Sequence, residues 1–226
     1  VAALSAQVNG ADVTLLERGT TDMAGGNSYY TAGATRIPHA GLEDLQTLVD
    51  PDERHAVTVV PPYTPEEYAA DLAKVTDGRN DPELTRVLID EVRPTLQWLY
   101  DEHEVNYRLM YERQAYENAD GSYLFWGGLH VGNTGGGVGL IADETAAALK
   151  AGVTIRYGAH VTGLITEGDA VVGVTGTIDG EAFEQRADAV IIAAGGFESD
   201  ADMRREYLGE GWGNAKDRGT PYNTDE

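Results

Sequence analysis

The sequence predicts an α/β protein: a parallel sheet, a three-stranded antiparallel meander and a helical insertion. Three observations predict this class. The chain opens with a helical pattern, "VAALSAQV", which ends at Gly10. A short apolar strand, "DVTLL", follows, and this is the order found in a βαβ unit. Residues 41–103 carry helix start signals, and residues 153–194 alternate β-branched runs with turns. Because the chain starts at Val1 in what reads as mid-helix, and stops in a polar stretch, we expect it to be truncated at both ends.

The helical insertion is predicted from its capping residues. Thr64, Pro65 and Glu67 form the pattern of a capping box, and "DPELTRVLIDEV" repeats the device at Asp81. The apolar spacing in "TLQWLYDEHEV" predicts a third helix. Residues 121–139 are rich in glycine and aromatic residues, which predicts a long folded loop before the helix "LIADETAAALKAG".

The last third of the chain reads mainly as strands. We predict one strand at 153–156, the meander from about 159 to 187, and a final buried strand at 189–194. Ser199 or Asp200 then caps a new helix. These patterns divide the chain into a partial cofactor-binding domain at 1–197, with its insertion at 41–103, and the start of a capping domain at 198–226.

Composition excludes several classes of function. Thirty-eight acidic against sixteen basic residues give a net charge of −22, which argues against binding to nucleic acid or to anionic membranes. There is no cysteine, and no apolar run approaches the roughly 20 residues of a membrane span. We therefore expect no membrane span in this segment and a cytoplasmic location.

The histidines show no spacing typical of a metal site, so we predict no metal. Those considered are His39, His55, His103, His130 and His160. His130 is the best candidate for a functional role, since it lies in the glycine and aromatic loop that could face a cofactor. The alternative is a loop histidine with a backbone partner.

Glu17 is the first candidate binding residue, because it follows the short strand "DVTLL" directly. Ligands of parallel sheets bind at the carboxyl ends of strands, and a carboxylate there can accept both hydroxyl hydrogens of a ribose. An ordinary solvated acid is the alternative. The small residues after it favour a ligand: Gly25 and Gly26 let the backbone approach closely, while Asn27 and Ser28 supply short polar groups.

A second glycine segment comes far downstream, where "AVIIAAGGFES" ends an apolar run in Ala194, Gly195 and Gly196. Each of these segments alone is compatible with an ordinary turn. Their order, separated by a helical insertion and a meander, is far more specific than any one of them.

Four segments together resemble the flavoprotein family of fumarate reductase and succinate dehydrogenase, which binds FAD in a Rossmann-like domain. They are "LLER", "GGNSYYTAGA", "HVTGL" and "VIIAAGGFE". "GGFESDADMRREYLGEGWGNAKDRGTPYNT" is most similar to the tricarballylate dehydrogenase branch. The resemblance covers most of the chain and is strongest at 11–36 and 186–224.

The resemblance implies a role for each matching residue. Glu17 would hold the ribose of the adenosine, with Arg18 beside it. Gly25, Gly26, Asn27 and Ser28 would line the pyrophosphate and flavin, and Thr31, Ala32 and Gly33 would lie under the isoalloxazine ring. The backbone of Val161 would meet adenine, and Ala194, Gly195 and Gly196 would close over the nucleotide.

The sequence also departs from the family pattern. The GxGxxG motif is absent, and Ala34 stands where relatives often have glycine, a change that is tolerable if its φ is negative. Succinate dehydrogenases carry a flavin-linked histidine near Asn27; this chain has none there, so we expect non-covalent FAD. The family usually has glycine and an acid where Asp225 and Glu226 stand, and we assign these two residues no role.

The family's chemistry is hydride transfer between flavin N5 and a carbon of a small di- or tricarboxylate. Its catalytic arginines lie largely in the cap and the C-terminal half, so we name no catalytic residue here, expect the fragment alone to be inactive, and leave the electron-transfer partner open. A 3-ketosteroid dehydrogenase or another alkene-reducing flavoenzyme is one alternative. A nucleotide-binding module without redox activity is another.

Overall fold

The computed structural model describes residues 1–224. The helices are α1 (Ala2–Val8), α2 (Leu42–Leu45), α3 (Pro65–Val75), α4 (Pro82–His103), α5 (Tyr111–Gln114), α6 (Gly136–Lys150) and α7 (Ala201–Leu208). The strands are β1 (Thr14–Leu16), β2 (Ala34–Thr35), β3 (Thr58–Val59), β4 (Tyr107–Leu109), β5 (Ala115–Glu117), β6 (Tyr123–Phe125), β7 (Val131–Asn133), β8 (Thr154–Arg156), β9 (Ala159–Glu167), β10 (Ala170–Ile178) and β11 (Glu181–Arg186). The α/β class is confirmed.

The chain divides into two compact units. The first comprises Val1–Tyr30 and Thr145–Glu226, whose last two residues, Asp225 and Glu226, lie outside the described part. The second comprises Thr31–Glu144. This division into compact units does not test the domain boundary expected at residue 197, which stays a prediction.

The first unit contains the predicted parallel pair. β1 and β8 pair in parallel, with Thr14 opposite Thr154 and Leu16 opposite Arg156. The backbone continues the ladder for one residue, since Glu17 donates its N–H to the carbonyl of Arg156 at 2.9 Å. This pairing brings the carboxyl end of β1, and with it Glu17, to the edge where ligands of parallel sheets bind.

The predicted meander is confirmed, with strand order β11-β10-β9. Two register shifts interrupt the β9–β10 pairing, and glycines lie beside both. A Cβ on Gly176 would be only 2.1 Å from the carbonyl oxygen of His160, so no side chain fits at that position. Asp200 is the residue that caps α7, accepting from the N–H groups of Asp202 and Met203.

The second unit holds two small sheets, β2-β7-β4 and β3-β6-β5. Its core contains fully buried side chains from both sheets and from α2 and α4, among them Leu45, Leu99, Leu109, Phe125 and Val131. α3 and α4 pack on each other around Tyr63, Tyr68 and Ile89. The capping box of Thr64 and Glu67 is present at the start of α3, and Asp81 caps α4.

The helical insertion differs from the prediction in one element. The second and third predicted helices form one continuous helix of 22 residues, α4, with Pro94 inside it. Proline lacks an N–H, so it forfeits one hydrogen bond, to the carbonyl of residue 90. Because Pro94 lies on the exposed face, water can solvate that carbonyl and the helix continues.

The region 121–139, predicted as a loop, contains β6, β7 and the first turn of α6. Several of its glycines allow the backbone of these elements to pack closely against other residues. A Cβ on Gly132 would meet the sulfur of Met110 at 2.4 Å, and one on Gly128 would meet the ring of Tyr63 at 2.4 Å. These glycines therefore permit close packing of short strands, a reason that composition alone did not reveal.

The buried strand predicted at 189–194 is wrong. These residues form no strand, and Ile191 and Ile192 are 67% and 72% exposed. An extended segment becomes a strand only when a neighbour satisfies its backbone groups, and in the described part of the first unit the parallel sheet consists of β1 and β8 alone.

Candidate functional site

Glu17 organises the start of the glycine loop in the first unit. Its Oε1 accepts the N–H of Gly19 at 2.6 Å, and its Oε2 accepts the N–H of Gly25 at 3.3 Å. Each carboxylate oxygen has a second lone pair, so capacity for a ligand hydroxyl remains. The sequence prediction treated Glu17 as a ligand contact only; the structure adds a role in shaping the loop.

Residues 25–28 form an open, tightly turned loop. Gly25 and Gly26 have φ values of +102° and +54°, and a 3-10 helix runs over Gly26–Tyr30. A Cβ on Gly26 would meet nothing within 4 Å. The loop therefore needs glycine for its backbone, and the space beside Gly26 is free for a bound group.

Asn27 contacts residues 217–224, which we call the C-terminal segment; the sequence analysis included it in the expected capping domain but gave its residues no role. Oδ1 of Asn27 accepts the N–H of Thr220 at 2.8 Å. Gly219 lies so close that a Cβ there would be 1.9 Å from the same oxygen. An open groove of about 500 Å³ lies here, lined by Asn27, Tyr30, Asp217, Arg218 and Gly219.

Arg18 also holds the C-terminal segment. Its Nη1 donates to the carbonyl of Tyr222 at 3.1 Å and to Oγ1 of Thr224 at 2.6 Å, and its guanidinium lies 5.7 Å from the Tyr222 ring centroid. Planar guanidinium groups suit this combination of donation and stacking. In this arrangement Arg18 fixes the backbone beside Glu17.

Of the predicted glycines at 195 and 196, Gly195 meets the same C-terminal segment, while Gly196 lies against the side chain of Glu198. Gly195 has φ +85°, and a Cβ there would be 2.9 Å from the side chain of Asn223. Asn223 donates to Oε2 of Glu198 at 2.9 Å. Ala194 and Gly195 are exposed and Gly196 is partly exposed, so this backbone is accessible.

The C-terminal segment thus connects Arg18, Asn27 and Gly195, three predicted residues far apart in sequence. Thr220 carries the link to Asn27 and Asn223 the contact with Gly195, and these two residues are only 1% and 7% exposed. The links to Arg18 are made by Tyr222 and Thr224. The sequence analysis missed both residues, although the resemblance there was among the strongest. The available signal was the motif "GTPYNT" itself, since buried small polar residues in a loop indicate a hydrogen-bonded role.

Val161 lies in β9, paired with Gly176 of β10. Ala159, two residues earlier, donates its N–H to the carbonyl of Glu17 at 2.9 Å, and Gly158 donates to Gly19. The start of β9 therefore lies beside the end of β1, and Val161 is on the adjoining, partly exposed backbone.

Thr31, Ala32 and Gly33 belong to the second unit and are held there by backbone contacts. Gly137 donates its N–H to the carbonyl of Thr31, and Asn133 donates to that of Gly33, both at 3.0 Å. Gly33 has φ +69°, and a Cβ there would be 2.7 Å from the carbonyl carbon of Gly136. Ala34 is not among the residues with positive φ, so alanine is compatible with the backbone at that position.

His130 is buried rather than facing an open loop. It is 1% exposed, its Nδ1 lies 2.8 Å from Nε2 of His39, and its Nε2 lies 3.2 Å from the carbonyl oxygen of Trp126. Burial lowers the pKa of both histidines, that of His39 to about 4. The structure therefore shows a histidine with a backbone partner, the alternative to a role against a cofactor.

Residues 1–224 contain no group of three or more histidine, aspartate or glutamate side chains placed to hold a metal ion. None of the helices in the same range combines the length and the apolar character that crossing a membrane requires.

Comparison with known proteins identifies the class. The profile of the FAD-binding domain family matches residues 1–215. The chain is 29% identical over 216 residues to a urocanate reductase of Eggerthella lenta, covering 91% of this chain and 31% of that protein. It therefore spans about a third of the length of this relative.

Solved structures agree on the fold. The open conformation of a flavocytochrome c3 fumarate reductase superposes with a TM-score of 0.73 at 21% identity, over 99% of this chain and 36% of that one. A 3-ketosteroid-Δ4-(5α)-dehydrogenase from Rhodococcus jostii RHA1 superposes with a TM-score of 0.68 at 20% identity, over 91% and 45%.

The chain belongs to the FAD-binding domain family, and its cofactor is FAD. The residues of the first unit fit such a ligand. An acid stands at the carboxyl end of a parallel strand, the space beside Gly26 is open, and the backbone of residues 194–196 is accessible. The broader resemblance to the fumarate reductase flavoproteins is confirmed as well.

Proposed function

We propose that this chain is the FAD-binding part of an oxidoreductase acting on a CH–CH or C=C bond of a small di- or tricarboxylate. The observation that carries the proposal is its similarity, along nearly its whole length, to a urocanate reductase and to a fumarate reductase. Both names denote reduction of an unsaturated carboxylate. The tricarballylate dehydrogenase branch and the direction of the reaction are part of the same proposal.

The residues of this chain would bind and orient the cofactor. Glu17 would accept hydrogen bonds from the ribose hydroxyls while keeping the loop amides of Gly19 and Gly25 in place. The small residues from Gly25 to Ser28 would line the pyrophosphate and flavin. Arg18 and Asn27 would act largely through the C-terminal segment, which they already bind.

Bound FAD supplies hydride chemistry at N5 of its ring. The reaction adds a hydride to one carbon of the double bond and a proton to the other, or removes both in the reverse direction. The side chains that would clamp the carboxylates and supply the proton are expected outside this chain. FAD is proposed to be non-covalent because no histidine stands near Asn27.

A second candidate is oxidation or reduction of a ketosteroid. Two ketosteroid dehydrogenase structures, one of them from Sterolibacterium denitrificans, superpose with TM-scores of 0.68 and 0.67. These values lie close to that of the fumarate reductase, and identities near 20% establish only the fold. The substrate class therefore needs a direct test.

The test is a purification of the intact protein followed by two measurements. A visible spectrum should show bound flavin, and acid precipitation should release it into the supernatant if the bond is non-covalent. The anaerobically reduced protein should then be reoxidised by fumarate or a tricarboxylate alkene, whereas reoxidation by urocanate alone, a monocarboxylate, would overturn the di- or tricarboxylate part of the proposal. Reoxidation by a ketosteroid alone would overturn the carboxylate assignment, and a colourless protein that takes up no FAD would overturn the whole proposal.

A further inference from the structure

Two buried histidines in the second unit form a continuous chain of hydrogen bonds. The backbone N–H of Gly41 donates to Nδ1 of His39 at 3.1 Å, and Nε2 of His39 lies 2.8 Å from Nδ1 of His130. Nε2 of His130 lies 3.2 Å from the carbonyl oxygen of Trp126. His39 and His130 are 6% and 1% exposed, so water does not compete for these contacts.

The two ends of this chain determine where each proton lies. A backbone N–H can only donate, so Nδ1 of His39 accepts and its Nε2 carries the hydrogen. Nε2 of His39 then donates to Nδ1 of His130, which leaves the hydrogen of His130 on Nε2, directed at the carbonyl of Trp126. Both rings are neutral and hold the same tautomer, and reversing either ring would place two donors or two acceptors face to face.

His130 joins the two sheets of the second unit. It directly precedes β7, and its carbonyl accepts the N–H of Met110, which follows β4, at 2.9 Å. Its side chain bonds the carbonyl of Trp126, which follows β6. His39 is anchored as firmly, because it exchanges two backbone hydrogen bonds with Tyr63.

The same strand β7 sets the position of the loop 31–33. β2 and β7 share only two residue pairs, Ala34 with Gly132 and Thr35 with Val131. Beyond them, the N–H of Asn133 binds the carbonyl of Gly33. So short a ladder gives little register specificity of its own, and contacts at its two ends must supply the rest.

We propose that His39 and His130 are positioning residues that hold β7, and through it the loop of Thr31, Ala32 and Gly33, by a single-tautomer hydrogen-bond relay. The assignment of this loop to the flavin rests on the proposed function; the relay and its hold on the loop do not.

The charges around the pair are few. Asp44 of α2 and Arg93 of α4 face His39 and form an ion pair with each other at 3.2 Å. Arg36 faces His130, and the Tyr63 ring lies 6.5 Å from that of His39. Asp44, the one acid acting on His39 here, is already paired with Arg93, so no free carboxylate stabilises an imidazolium.

The first test uses nitrogen-15 NMR of the histidine rings in the wild-type chain, which has only five histidines. At about pH 7 both His39 and His130 should be neutral with the hydrogen on Nε2. A protonated ring, or a hydrogen on Nδ1 in either ring, would overturn the relay whatever the behaviour of the variants.

The second test uses hydrogen exchange of the backbone amides of Asn133 and Gly137, which bind the carbonyls of Gly33 and Thr31. In His39→Leu both amides should exchange at least ~10-fold faster, while amides of α3 stay within ~2-fold of wild type. His39→Gln keeps a donor near Nε2 and should restore most of the protection. His103→Gln, whose Nε2 has no partner, is the matched control and should change neither amide.

Unchanged exchange at Asn133 and Gly137 in His39→Leu, or an equal rise across α3, would show that the pair does not position the loop. None of these measurements needs flavin. A protein that binds no FAD would therefore contradict the proposed function, while a normal flavoprotein with the wrong tautomers would contradict only the relay.

Discussion

At the scale of single residues, Glu17 combines an observed role in shaping the glycine loop with a proposed role in binding the ribose. Its carboxylate accepts two loop amides, and we propose that it also accepts hydrogen bonds from the ribose of FAD. Sequence position alone predicted the residue, because an acid after a parallel strand stands at the ligand edge. Its internal hydrogen bonds depend on where the chain turns at Gly19 and Gly25, which only the folded loop determines.

Glu17→Ala should weaken FAD binding by about 1.5–3 kcal/mol, a factor of roughly 10 to 150, since a charge-assisted hydrogen bond is lost. The dissociation constant can be measured by quenching of flavin fluorescence in the intact protein. Asp12→Ala, which removes an exposed acid nearby in sequence, is the control. Equal affinities for Glu17→Ala and wild type would contradict the ribose role.

Gly33 is required by sterics as well as by backbone conformation. A Cβ at Gly33 would overlap the backbone of Gly136, whereas Gly78, with a nearly equal φ of +70°, has open space around it. Gly33→Ala should therefore lower the free energy of unfolding by about 1–3 kcal/mol more than Gly78→Ala does. Urea unfolding measures both, and equal losses would mean that the contact with Gly136 relaxes without cost.

The buried histidine pair makes stability depend on pH. The pKa of His39 falls from 6.5 to about 4 on folding, so between these values the unfolded chain takes up a proton that the folded chain refuses. Stability should be full above about pH 6.5 and fall as the pH drops toward 4, by about 2 kcal/mol at pH 5.

The measurement is urea unfolding at about pH 7 and pH 5 for wild type and His39→Gln, whose side chain does not titrate. Protonation of carboxylates acts on both proteins alike, so the difference between them isolates His39. The same loss in both proteins would show that His39 is not the group responsible.

At the scale of elements, capping residues predicted helix starts well, whereas one apolar run, 189–194, was wrongly predicted to be a strand. Thr64 and Asp81 act on amides two or three residues away, so the signal is local and survives in sequence. The segment 189–194 has the composition of a buried strand, yet a strand depends on a partner. Its exposed isoleucines show that composition without a neighbouring strand does not form one.

The end of a helix was harder to predict than its start. The spacing of apolar residues indicated separate helices, whereas α4 passes through Pro94 without a break. Packing of α4 on α3 through Tyr68 and Ile89 contributes more than the one hydrogen bond that proline removes.

Pro94→Ala should restore that hydrogen bond and raise the free energy of unfolding by about 1–2 kcal/mol, somewhat less than the full proline penalty because the unfolded chain gains freedom. Glu91→Ala, at another exposed position of the same helix, is the control and should change stability by less than ~0.5 kcal/mol. Lower stability in Pro94→Ala would indicate that the proline adapts the helix to its packing surface.

At the scale of the whole molecule, the main electrostatic feature is the net charge of −22. Ion pairs between the described residues join exposed or partly exposed groups, such as Arg86 with Asp90 and Arg186 with Glu167, and such pairs contribute little. The excess of acids therefore repels itself across the surface of the chain.

Raising NaCl from roughly 0.02 M to 0.3 M should increase the melting temperature by several degrees, because the Debye length shrinks to about 6 Å and the repulsion is screened. Differential scanning calorimetry at a fixed pH near neutrality measures this. A melting temperature that falls or stays constant would show that local ion pairs outweigh the net repulsion.

The sequence by itself determined the α/β class, the meander, the capped helices, and an acid followed by a glycine loop at a strand end. These features depend on neighbours within a few residues or on composition, so they can be read along the chain. Only the tertiary structure decided that Arg18, Asn27 and Gly195 meet on the C-terminal segment, and that His39 pairs with His130. The hydrogen bonds among these contacts join residues about 90 to 200 positions apart, and a hydrogen bond at such a separation forms only because the folded backbone brings donor and acceptor to about 3 Å.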